Sequence, residues 1–306
     1  MTIKTIHRHD HHLGWDNSNA PALVVAPGER VQLELLDASR GLMQPDSDTA
    51  TLAELKLEHA NPLTGPVAID GAEPGDTLVV HIEGFEISDW GWTAIIPGFG
   101  LLADDFKDAY VNISKYDETA VEFLPGVSLP TRPFAGTIGV APAATGNHSA
   151  IPPLPTGGNM DICSLVAGTT LYLPVATKGA LFSAGDGHAA QGDGELCGTA
   201  IETTLSIEAR FNLQKQQRAP SPRFEIPATA QRDTGDSLVT TGIGNDLFRA
   251  AQDAARYMID EIQKRHGLSS EQAYCLLSVA ADLRIAEIVN QPNWTVCCEL
   301  PLSVFK

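Results

Sequence analysis

Ala26-Pro27-Gly28-Glu29 runs straight into Arg30-Val31-Gln32-Leu33-Glu34-Leu35, and the same local pattern recurs twice further on. Glu73-Pro74-Gly75-Asp76 opens Thr77-Leu78-Val79-Val80-His81-Ile82, and Val166-Ala167-Gly168-Thr169 opens Thr170-Leu171-Tyr172-Leu173-Pro174-Val175. In each, a Gly turn precedes a run with apolar residues at alternate positions, the period of a half-buried strand. The irregular spacing of the three copies excludes a solenoid repeat, so the pattern speaks of β-hairpins and not of function. Twenty Pro and 27 Gly among 306 residues, only 6% of them aromatic, add many turns between short strands. A β-rich catalytic body over 1–240 is expected.

From 245 the texture changes. Apolar residues at 247, 251, 254, 258 and 262 make a helical stripe. It ends at Lys264-Arg265-His266-Gly267, cations in the last turn and Gly just beyond, which predicts a helix over about 246–265. Ser269 or Ser270, with Glu271 and Gln272, then caps a second helix expected over about 270–290, apolar nearly all round at 273–281. Its exceptions are Asp282, Arg284 and Glu287, read first as a structural salt bridge and second as catalytic. Pro292 stops this helix, and 295–305 reads as a closing strand. The segment 241–306 is therefore a helical C-terminal part packed on the same domain, and the fold class is mainly β with added C-terminal helices, α+β overall. Between the two textures, 214–236 carries Pro220, Pro222 and Pro227, which predicts an irregular excursion or an arm reaching a neighbouring subunit. That arm and the apolar second helix lead us to expect a homo-oligomer, a dimer or higher.

Composition excludes several classes of partner. With 20 Lys and Arg against 38 Asp and Glu, a net charge of −18, nucleic acid and anionic membrane surfaces are poor candidates. No apolar run approaches the ~20 residues a bilayer crossing needs. The polar, His-rich start, with His7, His9, His11 and His12, has no apolar region of a secretion signal and reads as solvent-exposed. Trp15-Asp16-Asn17-Ser18 beside it reads as fixed structure. The five cysteines, at 163, 197, 275, 297 and 298, lack the CxxC spacing of zinc or redox sites, and reduced thiols in a cytoplasmic protein fit them best.

The chemistry is concentrated between 156 and 202. Gly157-Gly158-Asn159-Met160-Asp161 comes first, then Gly185-Asp186-Gly187-His188-Ala189-Ala190-Gln191-Gly192-Asp193-Gly194-Glu195. Asp186, His188, Asp193 and Glu195 are separated by residues that fill no volume, so the stretch reads as a Gly-rich loop and not as core. Carboxylates mixed with imidazole suit a divalent ion of the zinc or manganese type, zinc being the expectation. A solvated turn, or a calcium loop that only staples a sheet, is the bland alternative. Residues 195–202 alternate as a strand does, which would put Glu195, Cys197 and Thr199 on one face. A lone Cys is more often an inert small hydrophobe, but one beside an acid and a metal is a candidate nucleophile. Upstream, His59 lies in a turn held by Pro62 and Pro66, and Asp104 and Asp105 end the apolar run 96–102 and read as a surface turn.

Together these segments resemble the acetamidase/formamidase family. The likeness is carried by Trp15-Asp16-Asn17-Ser18, 59–66, Gly71-Ala72-Glu73-Pro74-Gly75-Asp76, 100–106 and Gly136-Thr137-Ile138-Gly139. It continues in 157–161, in the specific string 185–202 and in Asp282-Leu283-Arg284-Ile285, over essentially the whole chain. The resemblance implies hydrolysis of a short carboxamide such as formamide or acetamide, a sandwich-like β core with added helices, and a homo-oligomer. Asn147-His148-Ser149 matches no family expectation.

Two mechanisms fit the residues. In one, a metal lowers the pKa of its water and polarises the carbonyl, with Asp161, His188, Glu195, Asp186, Asp193 and His59 as ligands or their supports and Glu195 moving the proton. In the other, Cys197 attacks, Glu195 is its base, and a cation such as Lys178 holds the oxyanion. The metal is favoured because the acidic groups would otherwise crowd like charge together. Outside linear amide hydrolysis stand a metal-stapled β-sandwich that only binds a small ligand, and a hydrolase of cyclic imides or lactams.

Overall fold

The computed structural model describes residues 3–227 and 236–305, the side chains at 271, 272, 275, 278 and 279 excepted. Two large sheets face each other. One has nine strands, in the order Lys4–Ile6, Arg30–Leu35, Leu205–Gln214, Thr77–Ile87, Thr170–Pro174, Arg223–Ile226, Ser237–Gly244, Trp294–Pro301 and Asp282–Glu287. The other has seven, its path running Pro153–Leu154, Gly157–Asn159, Phe134–Val140, Phe182–His188, Leu63–Ile69 and His11–His12, with Leu23–Val25 also on Leu63–Ile69. All three Gly-led runs are strands of the nine-stranded sheet. Their alternate residues Val31, Leu33, Leu35, Leu78, Val80, Leu171 and Leu173 are buried in one apolar cluster with Val67, Ile138 and Phe182 of the seven-stranded sheet. Phe182 meets Phe211 across the sandwich edge to face, with ring centroids 5.0 Å apart. A smaller four-stranded sheet, Val127–Pro130, Ala120–Leu124, Tyr110–Tyr116 and Trp90–Ile95, flanks the site.

The glycine-rich stretch that reads as a loop is a central strand. Every residue of Phe182–His188 is buried, between Phe134–Val140 and Leu63–Ile69. Its glycines serve close approach, not flexibility: a Cβ at Gly185 would lie 2.1 Å from the Pro62 carbonyl oxygen, and one at Gly187 2.5 Å from that of Thr203. Conversely, 195–202 is not the expected strand. Glu195 at φ 46° and Gly198 at φ 90° turn the chain, and only Glu202 pairs, as an isolated bridge to Trp92 and His188.

The first C-terminal helix spans Leu247–His266, capped by the Asp246 carboxylate and ended by left-handed Gly267. Its buried residues Ala250, Ala254, Met258 and Ile262 pack on Ser237–Gly244, where Gly242 admits the helix backbone. The second helix is shorter than expected. It spans Ser270–Ala280, and Asp282–Glu287 is an edge strand hydrogen-bonded to Trp294–Pro301. The alternation of Asp282, Leu283, Arg284 and Ile285 is that of a strand, and it overrides the apolar run before it. Within 214–236, Arg223–Ile226 is an interior strand, a correction to the expected irregular arm, and 228–235 lie outside the described residues. The histidine-rich start is also more ordered than expected: His11–His12 pairs with the sheet, and burial lowers the pKa of His12. Trp15 is buried and bridged to His148.

Candidate functional site

Asp186 and His188 stand two residues apart on the central strand and so point the same way. Gly136, on the neighbouring strand, is what makes room for them. A Cβ there would lie 2.5 Å from Asp161 Oδ1, 2.7 Å from His188 Cε1 and 2.8 Å from Asp186 Oδ2. Asp161 follows the short strand Gly157–Asn159 in a left-handed conformation, and Glu195 and Glu202 arrive from the turns after the central strand. His188 Nε2 is 3.2 Å from Glu202 Oε1, 3.4 Å from Asp186 Oδ1 and 4.0 Å from Glu195 Oε1, and Nδ1 is 3.9 Å from Asp161 Oδ1. All five side chains are buried.

Asp161, Asp186 and Glu202 each have one carboxylate oxygen tied by a hydrogen bond and one without a partner. Asn61 Nδ2 donates to Asp186 Oδ2 at 3.0 Å, Asn290 Nδ2 donates to Asp161 Oδ2, and the Ala200 amide donates to Glu202 Oε1 at 2.9 Å. Gln191 donates its amide N–H to the Asp161 carbonyl at 2.8 Å, which turns its oxygen toward His188 Nδ1 at 2.9 Å. Nδ1 therefore carries the proton, and Nε2 faces the carboxylates. Asp161 Oδ1, Asp186 Oδ1, His188 Nε2 and Glu202 Oε2 are buried without a hydrogen-bond partner, since the short separations at Nε2 are not aligned as hydrogen bonds. Buried orphans around one imidazole are what a cation needs and what a folded protein otherwise avoids. Asp161, Asp186 and His188 offer ligand atoms within 4.8 Å of one another, and so do His188, Glu195 and Glu202.

The electrostatics agree. Burial, then the Asp186 charge, holds the Asp161 carboxyl well above the usual range; burial, then Asp161, does the same to Glu195. Burial raises Glu202 to about 7. At His188, burial works against the cation, but Glu202 and Asp186 outweigh it and raise the pKa well above 6.5. Protons hold the charges apart where a divalent ion would do so more strongly.

The cluster looks onto a chamber of about 40 Å³ that Asp186, Glu195, Glu202 and Asn290 help to line. Glu195 and Thr199 also line a much wider cleft of about 870 Å³, on which Cys197 lies. The Cys197 thiol donates to the Thr199 carbonyl at 3.4 Å.

Of the residues singled out in the sequence, the fold brings Asp161, Asp186, His188 and Glu195 together. It does not bring His59 or Asp193. His59 is half exposed, 3.9 Å from Glu58, and its neighbour Asn61 enters the site instead. Asp193 is exposed at the cleft, 3.5 Å from Arg284. Arg284 also meets Glu299 at 3.1 Å, the structural pairing expected of it, and Asp282, Asp104, Asp105 and Lys178 lie on the surface. Glu287 is not in that salt bridge: it is buried, raised to about 7 by burial, and accepts from the Val289 and Asn290 amides. Glu202, Asn61 and Asn290 reach the site through tertiary approach, whereas Gln191 stands inside the 185–195 string and is an ordinary amide until its contact with His188 is seen.

The chain as a whole is similar to known proteins. Residues 3–148 and 143–306 match the model of the Acetamidase/Formamidase family. The formamidase of Methylophilus methylotrophus is 26% identical over 96% of this chain and 89% of its own length. The acetamidase of Mycolicibacterium smegmatis is 26% identical over 93% of this chain and 88% of its own. The crystal structure of an acetamidase from Bacillus halodurans superimposes with a TM-score of 0.90 at 30% identity, covering 98% of each chain.

Proposed function

Because the chain belongs to the acetamidase/formamidase family, we propose that its buried cluster hydrolyses short aliphatic carboxamides, formamide and acetamide among them, to a carboxylate and ammonia. The observation that carries the reading is a pair of buried ligand clusters, Asp161 with Asp186 and Glu195 with Glu202, that share His188 and hold four unpartnered atoms beside a small chamber. Asp161, Asp186, His188 and Glu202 would hold a divalent cation, and one imidazole with carboxylates suits zinc. Such an ion, when bound, supplies Lewis acidity, polarising a carbonyl oxygen and acidifying water.

The protein's own groups do the rest. Glu195 sits between chamber and cleft with a raised pKa, so it can take the proton of the attacking water and return it to the departing nitrogen. As the C–N bond breaks, that proton leaves with ammonia. Gln191 accepts the Nδ1–H of His188, which leaves Nε2 as the nitrogen that would face an ion, and Asn61 and Asn290 fix the two aspartates. Glu287 braces the turn that carries Asn290, so the segment 241–306 takes part in the same catalytic unit as the body. The thiol reading is the weaker one, since Cys197 is engaged with Thr199 and lies on the cleft, not on the chamber.

We also infer a homo-oligomer, on the exposed Leu283 and Ile285 of the edge strand Asp282–Glu287, and a cytoplasmic setting, on the reduced thiols of Cys197, Cys297 and Cys298. Among the described residues no helix is long and apolar enough to cross a membrane. Ammonia release from a panel of amides, nitriles and lactams, before and after chelation, tests the function. Release from formamide or acetamide that chelation abolishes is the expected result. A metal-retaining protein that cleaves nothing is a binding module, and a chelated protein with full activity makes Cys197 the nucleophile. Light scattering that gives one chain's mass removes the oligomer.

A further inference from the structure

The chamber beside the cluster has two aromatic walls, and they are held differently. Trp92 is fully buried, and its indole N–H donates to Asp37 at 2.7 Å, so it belongs to the rigid frame. Phe99 is half buried on a turn between Gly98 and Gly100, both at positive φ. That turn lies on the 194–199 turn. The Leu101 amide donates to the Leu196 carbonyl at 2.9 Å, and a Cβ on Gly100 would lie 2.8 Å from the Cys197 carbonyl oxygen. The Phe99 ring rests on Gly198 so closely that a Cβ there would be 2.4 Å from its Cδ1. Gly198 has φ 90°, a conformation that also disfavours any side chain. The backbone is thus shaped on both sides to let one phenyl ring close over the chamber.

We propose that Phe99 sets the length of acyl chain the enzyme accepts, by closing the chamber against Gly198. The proposal rests on the reading of this cluster as a short-amide hydrolase. At roughly 10–15 Å³ for each water-sized site, a chamber of about 40 Å³ takes on the order of three heavy atoms, so only a very short amide fits beside Asp186, Glu195 and Glu202. Each further methylene on the acyl group must displace an apolar wall. Leu55, Leu57, Ile96, Phe99 and Ile151 are the large apolar lining residues outside the buried core, and of these only Phe99 is flanked by glycines on both sides. Removing the ring opens the chamber without cutting into the packed core, because Phe99 is not part of the buried apolar clusters.

The experiment compares kcat/KM for formamide, acetamide, propionamide and butyramide in the wild type, Phe99→Ala, Phe99→Leu and Phe99→Trp. Each variant's fold is checked by circular dichroism, and its metal content is measured. Since one methylene in an apolar pocket is worth roughly 10–200-fold in discrimination, the butyramide-to-formamide ratio is expected to rise at least tenfold in Phe99→Ala. It should rise less in Phe99→Leu and fall in Phe99→Trp. Unchanged ratios in folded variants overturn the gate and leave the amidase reading standing. A wild type that cleaves none of the four overturns that reading and the gate with it. Should Phe99→Ala not fold, the opposed shifts of Phe99→Leu and Phe99→Trp decide the matter alone.

Discussion

At His188 two demands meet in one ring. The Gln191 oxygen accepts a hydrogen bond from Nδ1–H, and Nε2 is left facing Asp186, Glu195 and Glu202. His188→Ala should therefore remove bound metal and turnover together, and metal analysis beside an ammonia assay checks both. Glu202→Gln should do the same to a lesser extent, cutting metal affinity at least ~10–100-fold, because it neutralises a donor that no local motif marks. Glu195→Gln should keep the metal but lose on the order of 10²–10⁴ in kcat, the scale for a general base. Cys197→Ser separates the mechanisms: turnover within about tenfold of wild type is expected, and its abolition with metal intact would make the thiol the nucleophile. Residue identity was legible where ligand-type side chains share a dense local string, as at 185–195. It was illegible at Glu202, Asn61 and Asn290, which look like ordinary polar residues until the strands bring them in. His59 shows the converse: the turn was found, but the side chain that enters the site is two residues on.

The elements were legible wherever burial alternates. Arg30–Leu35, Thr77–Ile87 and Thr170–Pro174 bury every second side chain for at least part of their length and announce it in sequence. Phe182–His188 is buried on both faces, so alternation is lost, and its glycines imitate a loop. Glycine there reports the proximity of other backbones, which one sequence does not display. Stability measurements on two variants test this account. Gly185→Ala places a methyl 2.1 Å from the Pro62 carbonyl oxygen and should destabilise by about 1–3 kcal/mol or more, seen as a lowered Tm. Gly84→Ala, in the long strand Thr77–Ile87, has nothing within 4 Å of the added carbon and should be near neutral or slightly stabilising. Equal losses in the two would mean that crowding is not what selects glycine in the central strand. The second helix was overread for the opposite reason. Its apolar run continues to Ala281 with only Ser278 interrupting it, and the pairing of Asp282–Glu287 with Trp294–Pro301 ends it.

For the whole molecule, the cluster sets how stability follows pH. In the metal-free protein Glu202 titrates at about 7 instead of 4.5, and Asp161 and Glu195 are raised still more clearly. A carboxyl raised on folding binds more protons in the native state than in the unfolded one, so stability falls as pH climbs above its unfolded value. That loss begins near pH 4.5 and for Glu202 is complete just above pH 7. His188, also raised, stabilises fully below pH 6.5 and loses that contribution as pH rises through its folded value. Every shift in the cluster has the same sign. The metal-free protein should accordingly melt several degrees lower at pH 8 than at pH 5.5. A divalent ion replaces the protons, binds more tightly as pH rises and stabilises the native state by mass action. Calorimetry with and without chelator at the two pH values checks this. The gap in Tm between metal-loaded and metal-free protein should widen from pH 5.5 to pH 8. A gap that is constant or narrows on raising the pH would mean that Asp161, Asp186, His188 and Glu202 do not hold the ion, and the metal would have to be sought elsewhere in the fold.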